Sequence, residues 1–124
     1  MAYSDYPNGV QSTVGFKGPV QRVCVVAPAD GAITLKDGFV FITKATAAVL
    51  TLADPVAGTD DGKEITVISK TAAAHTVTIA GGLNGAGAGA DVGTFSAVIG
   101  NRFSVVAHNG KWYSSGVAVN VTFA

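Results

Sequence analysis

The sequence predicts an all-β protein: a single antiparallel β-sandwich or barrel-like domain over residues 20–124, preceded by an extended N-terminal arm over residues 1–19. Three observations predict it. Residues 102–115 (RFSVVAHNGKWYSS) hold two alternating runs on either side of Asn109-Gly110, and Asn-Gly tolerates the two positive φ angles of a type I′ hairpin turn. Short apolar runs separated by turn residues recur along the rest of the chain, at the spacing of sandwiches and barrels. No stretch of a dozen residues carries the apolar spacing of a helix.

In the hairpin, pairing Ala107 with Trp112 and Val105 with Ser114 puts Phe103, Val105, Ala107 and Trp112 on one face. Arg102, Ser104, His108, Lys111 and Tyr113 fall on the other. The single tryptophan is therefore expected to anchor the core. Upstream, VQRVCVVA reads as a first strand ended by Pro28 and Asp30-Gly31. AITL follows, and Asp37-Gly38 repeats the hairpin signal before FVFIT. Residues 45–52 (ATAAVLTL) mix alanine with Thr46, Val49 and Thr51, and their short length favours a strand. PVAGTDDG is a loop. KEITVISK places Ile65 and Val67 on one face, and HTVTIA does the same with Val77 and Ile79, the TAAA between them reading as a turn or a helical turn. The Gly/Ala-rich residues 81–93 offer little to pack. TFSAVI reads as a strand, and VAVNVTF alternates most cleanly of all, with Val117, Val119, Val121 and Phe123 on one side.

Hydrophobic residues make up 48% of the 124 residues and charged ones only 13%, about half the usual share for a soluble domain. No apolar run approaches the ~20 residues of a membrane span. Eight basic and eight acidic side chains are scattered singly, so no basic stripe exists for nucleic acid. Such a surface suits a subunit interface or docking onto something larger. The start lacks the basic and apolar regions of a signal peptide, so folding in a cytoplasm is expected. The initial Met reads as the start of a whole gene product. Residues 1–19 mix Pro, Gly and polar residues with three aromatics. They read as either a frayed terminus or an arm that orders against a partner through Tyr3, Tyr6 and Phe16.

The residues argue against catalysis. His75 and His108 border strands next to turns and read as surface or turn histidines. No nucleophile-elbow or Cys-His signature is present. Cys24, alone in an apolar run, is expected to be a buried, inert thiol. Together with two histidines it falls short of a zinc set. Asp54, Asp60, Asp61 and Glu64 cluster on one loop, but without EF-hand spacing and with Lys63 among them they read as a solvated turn. The GAGAGA run fits a relaxed dinucleotide loop, yet a strand follows where a helix is needed. No cofactor, metal or catalytic residue is expected. Tyr113, with Arg102 and His108, is the one candidate platform for an outer-face ligand such as a sugar.

ITKATAAVLTLADPVAGTDDGKEITVISKTAAAHTVTIAGG and IGNRFSVVAHNGKWYSSG together resemble a small β domain of structural proteins from tailed bacteriophages and prophages. The matching pieces are LTLADP (residues 50–55), AGTDDG (57–62), TAAAHTVT (71–78) and NGKWY (109–113), within residues 42–116. They are turn and core residues, and the resemblance carries over no catalytic residue. It implies a virion component at the capsid surface, made in the host cytoplasm: a head decoration protein or short head fibre. Its implied partners are the major capsid protein and itself, as a homotrimer anchored partly by the arm. The alternative is a receptor- or glycan-binding tip of a tail or fibre. The lack of a repetitive shaft favours decoration.

Overall fold

The computed structural model describes residues 21–124; the arm and its aromatics Tyr3, Tyr6 and Phe16 lie outside them. The described chain forms ten strands: β1 (Cys24–Ala27), β2 (Gly31–Ile33), β3 (Gly38–Ile42), β4 (Val49–Leu52), β5 (Glu64–Ser69), β6 (Thr76–Ile79), β7 (Val92–Phe95), β8 (Arg102–His108), β9 (Lys111–Ser114) and β10 (Val121–Phe123). They build two five-stranded sheets, β1-β3-β5-β8-β9 and β10-β7-β6-β4-β2. The two sheets pack into a β-sandwich around one core.

The all-β sandwich read from the sequence is what forms, but its sheets are mixed. β1, β3 and β5 lie in the first sheet, and β2, β4 and β6 in the second. The chain therefore crosses the core at each step, and each pair of strands makes one circuit around it. Strands stacked from successive circuits run the same way, so the β1–β3, β3–β5, β2–β4 and β4–β6 ladders are parallel. Only from β6 onward does the chain double back, and the β5–β8, β6–β7, β8–β9 and β7–β10 ladders are antiparallel. Asp37-Gly38 is accordingly a corner between sheets and not a hairpin turn. Gly38 has φ +129°, and a Cβ there would overlap the Val23 carbonyl oxygen, which accepts a hydrogen bond from Phe39 N at 2.9 Å. Asp37 Oδ1 accepts from Glu64 N at 2.9 Å and pairs with Arg22.

The hairpin forms in the expected register, with Ala107 opposite Trp112 and Val105 opposite Ser114. Asn109 and Gly110 have φ +49° and +81°. Phe103, Val105, Ala107 and Trp112 point into the core beside Ile65, Val67, Val77, Ile79 and Phe95. Trp112 is fully buried, and its Nε1–H donates to Ala53 O at 2.9 Å. An edge-to-face row of rings runs from His75 through Phe95 and Phe103 to Phe123, with centroids 6.1, 5.9 and 5.1 Å apart. Such pairs are worth about 0.5–1.5 kcal/mol beyond their buried area. Gly93 leaves room for the last ring, since a Cβ there would stand 2.7 Å from Phe123 Cζ.

Several expectations are corrected. ATAAVLTL is a strand only at Val49–Leu52. The Gly/Ala run holds a 3₁₀ turn at Gly87–Ala90. TFSAVI is strand only to Phe95, because the buried Asn101 amide donates to Ser96 O and Oγ at 2.8 and 2.7 Å and folds residues 96–101 into a turn. VAVNVTF does not form one strand. Val119 bridges Arg102 of the first sheet, whereas Val121 pairs with Phe95 of the second. The chain switches sheets at Asn120, whose φ is +53°, and Val117 is left 94% exposed. Cys24 is exposed: it lies on β1, the outermost described strand of its sheet, with its side chain on the outer face opposite Phe39.

Candidate docking surface

Alternation along each strand decides what the sandwich shows to the outside. In the first sheet Val25, Val40, Ile42, Ile65, Val67, Phe103, Val105 and Trp112 point inward. The outer face then carries Cys24 and Val26 from β1, Phe39 and Phe41 from β3, Thr66 and Ile68 from β5, Ser104 and Val106 from β8, and Tyr113 from β9. Val26, Phe41, Ile68 and Arg102 line up across the strands in one row, and Cys24, Phe39, Thr66 and Ser104 in the next. The two hydroxyls in the middle satisfy each other, with Thr66 Oγ1 and Ser104 Oγ 2.8 Å apart. Covering this face therefore strands neither group without a partner. Polar groups sit at its border. Arg22 lies over the Phe39 ring at 5.3 Å and pairs with Asp37 and Glu64, and Arg102, His108 and Lys111 lie on the far side.

The second sheet differs. Its outer face presents Ala32, Val49, Thr51, Thr76, Thr78, Val92, Thr94 and Thr122, with Ala32–Thr51–Thr78 and Thr76–Thr94–Thr122 in register. One outer face is aromatic and aliphatic; the other is mostly threonine. An apolar centre with a polar rim containing Tyr and Arg is the usual anatomy of a protein interface.

The sequence-derived ligand platform is only partly assembled. His108 and Tyr113 stand with ring centroids 6.4 Å apart. Arg102 is at the opposite end of β8, six residues from His108 and so roughly 20 Å away along the strand. The three do not converge on one point. Among the described residues no group of three or more His, Cys, Asp or Glu is placed to hold a metal ion.

The acidic loop is knitted into the fold. Asp60 is buried, and its carboxylate accepts from Val56 N at 2.7 Å, Lys63 Nζ at 3.0 Å and Lys36 Nζ at 3.2 Å. The Val56 N–H, then Lys63, then Lys36 hold its pKa down to about 2, against the raising effect of burial. Asp61 accepts from Gly58 N and Asn109 N, and Asp54 from Gly81 N. These carboxylates tie loop 53–62 to the hairpin turn and to the residues after β6.

His75 is fully buried and not on the surface. Its Nδ1 accepts from Ala48 N at 3.0 Å, and its Nε2 meets Thr71 Oγ1 at 2.9 Å. Thr71 Oγ1–H in turn donates to Lys44 O at 2.6 Å. A neutral ring with the proton on Nε2 satisfies every group in this chain, and burial, with Lys44 nearby, pushes the His75 pKa below its ordinary value. The TAAAHT segment is thus a clip between the β3–β4 connection and β6. A Thr four residues before the His was the signal for it in the sequence.

No family model, curated protein or solved structure matches the chain. Among the described residues, no helix is long and apolar enough to cross a membrane.

Proposed function

We propose that this chain is a non-enzymatic structural protein of a tailed-phage virion that decorates or cements the capsid. In this reading it acts as a homotrimer on the shell surface and is made in the bacterial cytoplasm. The observation that carries the reading is the outer face of the first sheet, where Val26, Phe41, Ile68, Val106 and Tyr113 form an apolar surface on a chain with few charges. The motifs in residues 42–116 that resemble phage structural domains support it. Their most regular pieces, TAAAHT and NGKWY, serve as a clip and a hairpin, which is what a protein working through its shape requires.

The mechanism is additive burial. A subunit on a symmetric shell meets its partners at high effective concentration, so contacts that are weak singly become strong together. Area buried between capsomers raises the barrier to shell rupture. The arm, through Tyr3, Tyr6 and Phe16, supplies further anchors to the major capsid protein. The test is solution mass by light scattering, followed by co-sedimentation with empty shells of a matched phage. A trimer that sediments with the shells supports the proposal, and a monomer that stays in the supernatant overturns it.

A further inference from the structure

The sandwich is closed unequally at its two ends. Beside β9, Leu83 bridges Trp112 and Asn84 N donates to Trp112 O at 2.9 Å, so that strand edge is covered. At the other end β1 and β2 are the outermost strands of their sheets. No described residue pairs with their outer edges. Between them opens a cavity of about 320 Å³, lined by Val25, Ala27, Ile33, Val40 and Leu50 among others. A strand edge left without a partner above an open core is a liability that proteins normally cover.

The circuits around the core say what fits there. β2 lies on β4 at a spacing of nineteen residues: Gly31 on Leu50, Ala32 on Thr51 and Ile33 on Leu52. The circuits vary in length, from fifteen residues between β1 and β3 to twenty-seven between β4 and β6, and the nineteen-residue step of β2, taken backwards, lands on Ser12, Thr13 and Val14. Val14-Gly15-Phe16-Lys17 then repeats Ile33-Thr34-Leu35-Lys36 as apolar, any, apolar, Lys. Ile33 belongs to the core and Leu35 packs against it, so Val14 and Phe16 carry apolar side chains at the two equivalent positions. By the same count Thr13 would match the outward row of Ala32, Thr51 and Thr78. Residues 12–16 carry no charge. The connection is also long enough. Ten residues separate Val14 from Cys24, against six from Ile33 to Phe39 and fourteen from Leu52 to Thr66, the equivalent positions in the later circuits. Ten residues reach up to roughly 33 Å, well beyond the ~10 Å between packed sheets.

We propose that the outer edge of β2, which no described residue pairs, and the mouth of the core are a docking site for the chain's own residues 12–16, which would add a parallel strand there and complete the first circuit. This divides the arm. Residues 12–17 would then belong to the body, which withdraws Phe16 from the capsid anchors proposed above and leaves residues 1–10, with Tyr3 and Tyr6, to reach a partner. The inference goes beyond the decoration reading and does not depend on it.

The test is a disulfide trap in the full-length chain carrying Cys24→Ser, with Thr13→Cys and Ala32→Cys as the pair. In-register neighbours in adjacent strands lie about 4.8 Å apart, within the Cα range a disulfide spans. Oxidation is expected to give at least tenfold more intrachain disulfide, by non-reducing peptide mapping, than a control pair of Asn8→Cys and Ala32→Cys. Equal yields overturn the proposal, as do products linked only between chains, which would mean that another copy covers the edge. As a second readout, deleting residues 1–17 should speed amide exchange within β2 at least tenfold, while deleting residues 1–10 leaves it unchanged. Unchanged β2 exchange in the longer deletion also overturns it. Neither readout involves shells, so failed shell binding and failed docking are told apart.

Discussion

Val26→Lys separates the fold of this protein from its surface. Val26 lies on edge strand β1, 60% exposed, with its side chain on the outer face opposite Phe41. A lysine there removes no core contact and keeps its ammonium in water, so stability should change by no more than about 0.5 kcal/mol. With an unfolding entropy of about 2.1 cal/mol/K per residue over 124 residues, that is a Tm shift of about 2 °C. Association through this face is another matter. A partner seated on Phe41 and Ile68 must bury an ammonium with no acid opposite, at a cost of about 3 kcal/mol, or roughly 150-fold in affinity. Thr94→Lys, on the threonine face of the second sheet, is the control and should bind as the parent does. Light scattering and shell co-sedimentation, run beside thermal melts, measure both quantities. A Val26→Lys protein with parental mass and parental shell occupancy refutes the assignment of this face as an interface.

Two further expectations concern the body. Trp112→Phe loses the hydrogen bond to Ala53 O and part of a fully buried ring system, which should cost about 2–3 kcal/mol and lower the Tm by about 8–12 °C; a loss under about 3 °C would mean that the ring is not closely packed. The pH dependence of stability has two windows. The folded state holds His75 neutral below its ordinary pKa of 6.5, so the unfolded chain takes up that proton first, and stability that is full above pH 6.5 is lost as pH falls below it. Asp60 is held at about 2 against an ordinary 3.8, so its contribution is present above about pH 4 and is lost on the way down to pH 2. Melts from pH 8 to 5 should fall for the parent and stay flatter for His75→Gln, and a flat parental curve would refute the His75 assignment.

What the sequence made legible was local. The Asn109-Gly110 turn, the register of its strands and the inward set Phe103, Val105, Ala107 and Trp112 follow from alternation over a dozen residues. The parallel half was not legible, because its ladders join residues fifteen to twenty-seven apart through corners with no turn signature. Asp37-Gly38 carries the same dipeptide chemistry whether the chain reverses within a sheet or crosses to the other one. The regular alternation of VAVNVTF likewise hid a change of sheet, which Asn120 makes with one positive φ. His75 was misread because a histidine beside alanines and a strand start looks like a turn residue until Thr71 Oγ1 and Ala48 N are seen to satisfy both ring nitrogens.

The candidate docking surface did leave a trace in the sequence. Strands that meet water on one side alternate apolar with polar residues, whereas strands covered on both faces read as continuous apolar runs. In the second sheet, VLTL, TVTI and VGTF keep threonine on the outer side. In the first sheet, CVVA and GFVFI have no polar residue at all, and EITVIS and RFSVVAH place Ile68 and Val106 outward. One sheet is thus written for a core and water, and the other for a core and a far less polar outer face. Five strands about 4.8 Å apart, presenting some 17 Å of their length, give a face of roughly 400 Å². That is within the ~300–600 Å² of the largest patch on a typical monomer, which is often functional, and about half of what one partner contributes to a standard interface. A face of that size holds a lone partner weakly, so it demands either repetition by symmetry or help from a second element. Under the proposed decoration role, trimeric placement on a lattice would provide the first, and the two tyrosines of residues 1–10 would provide the second.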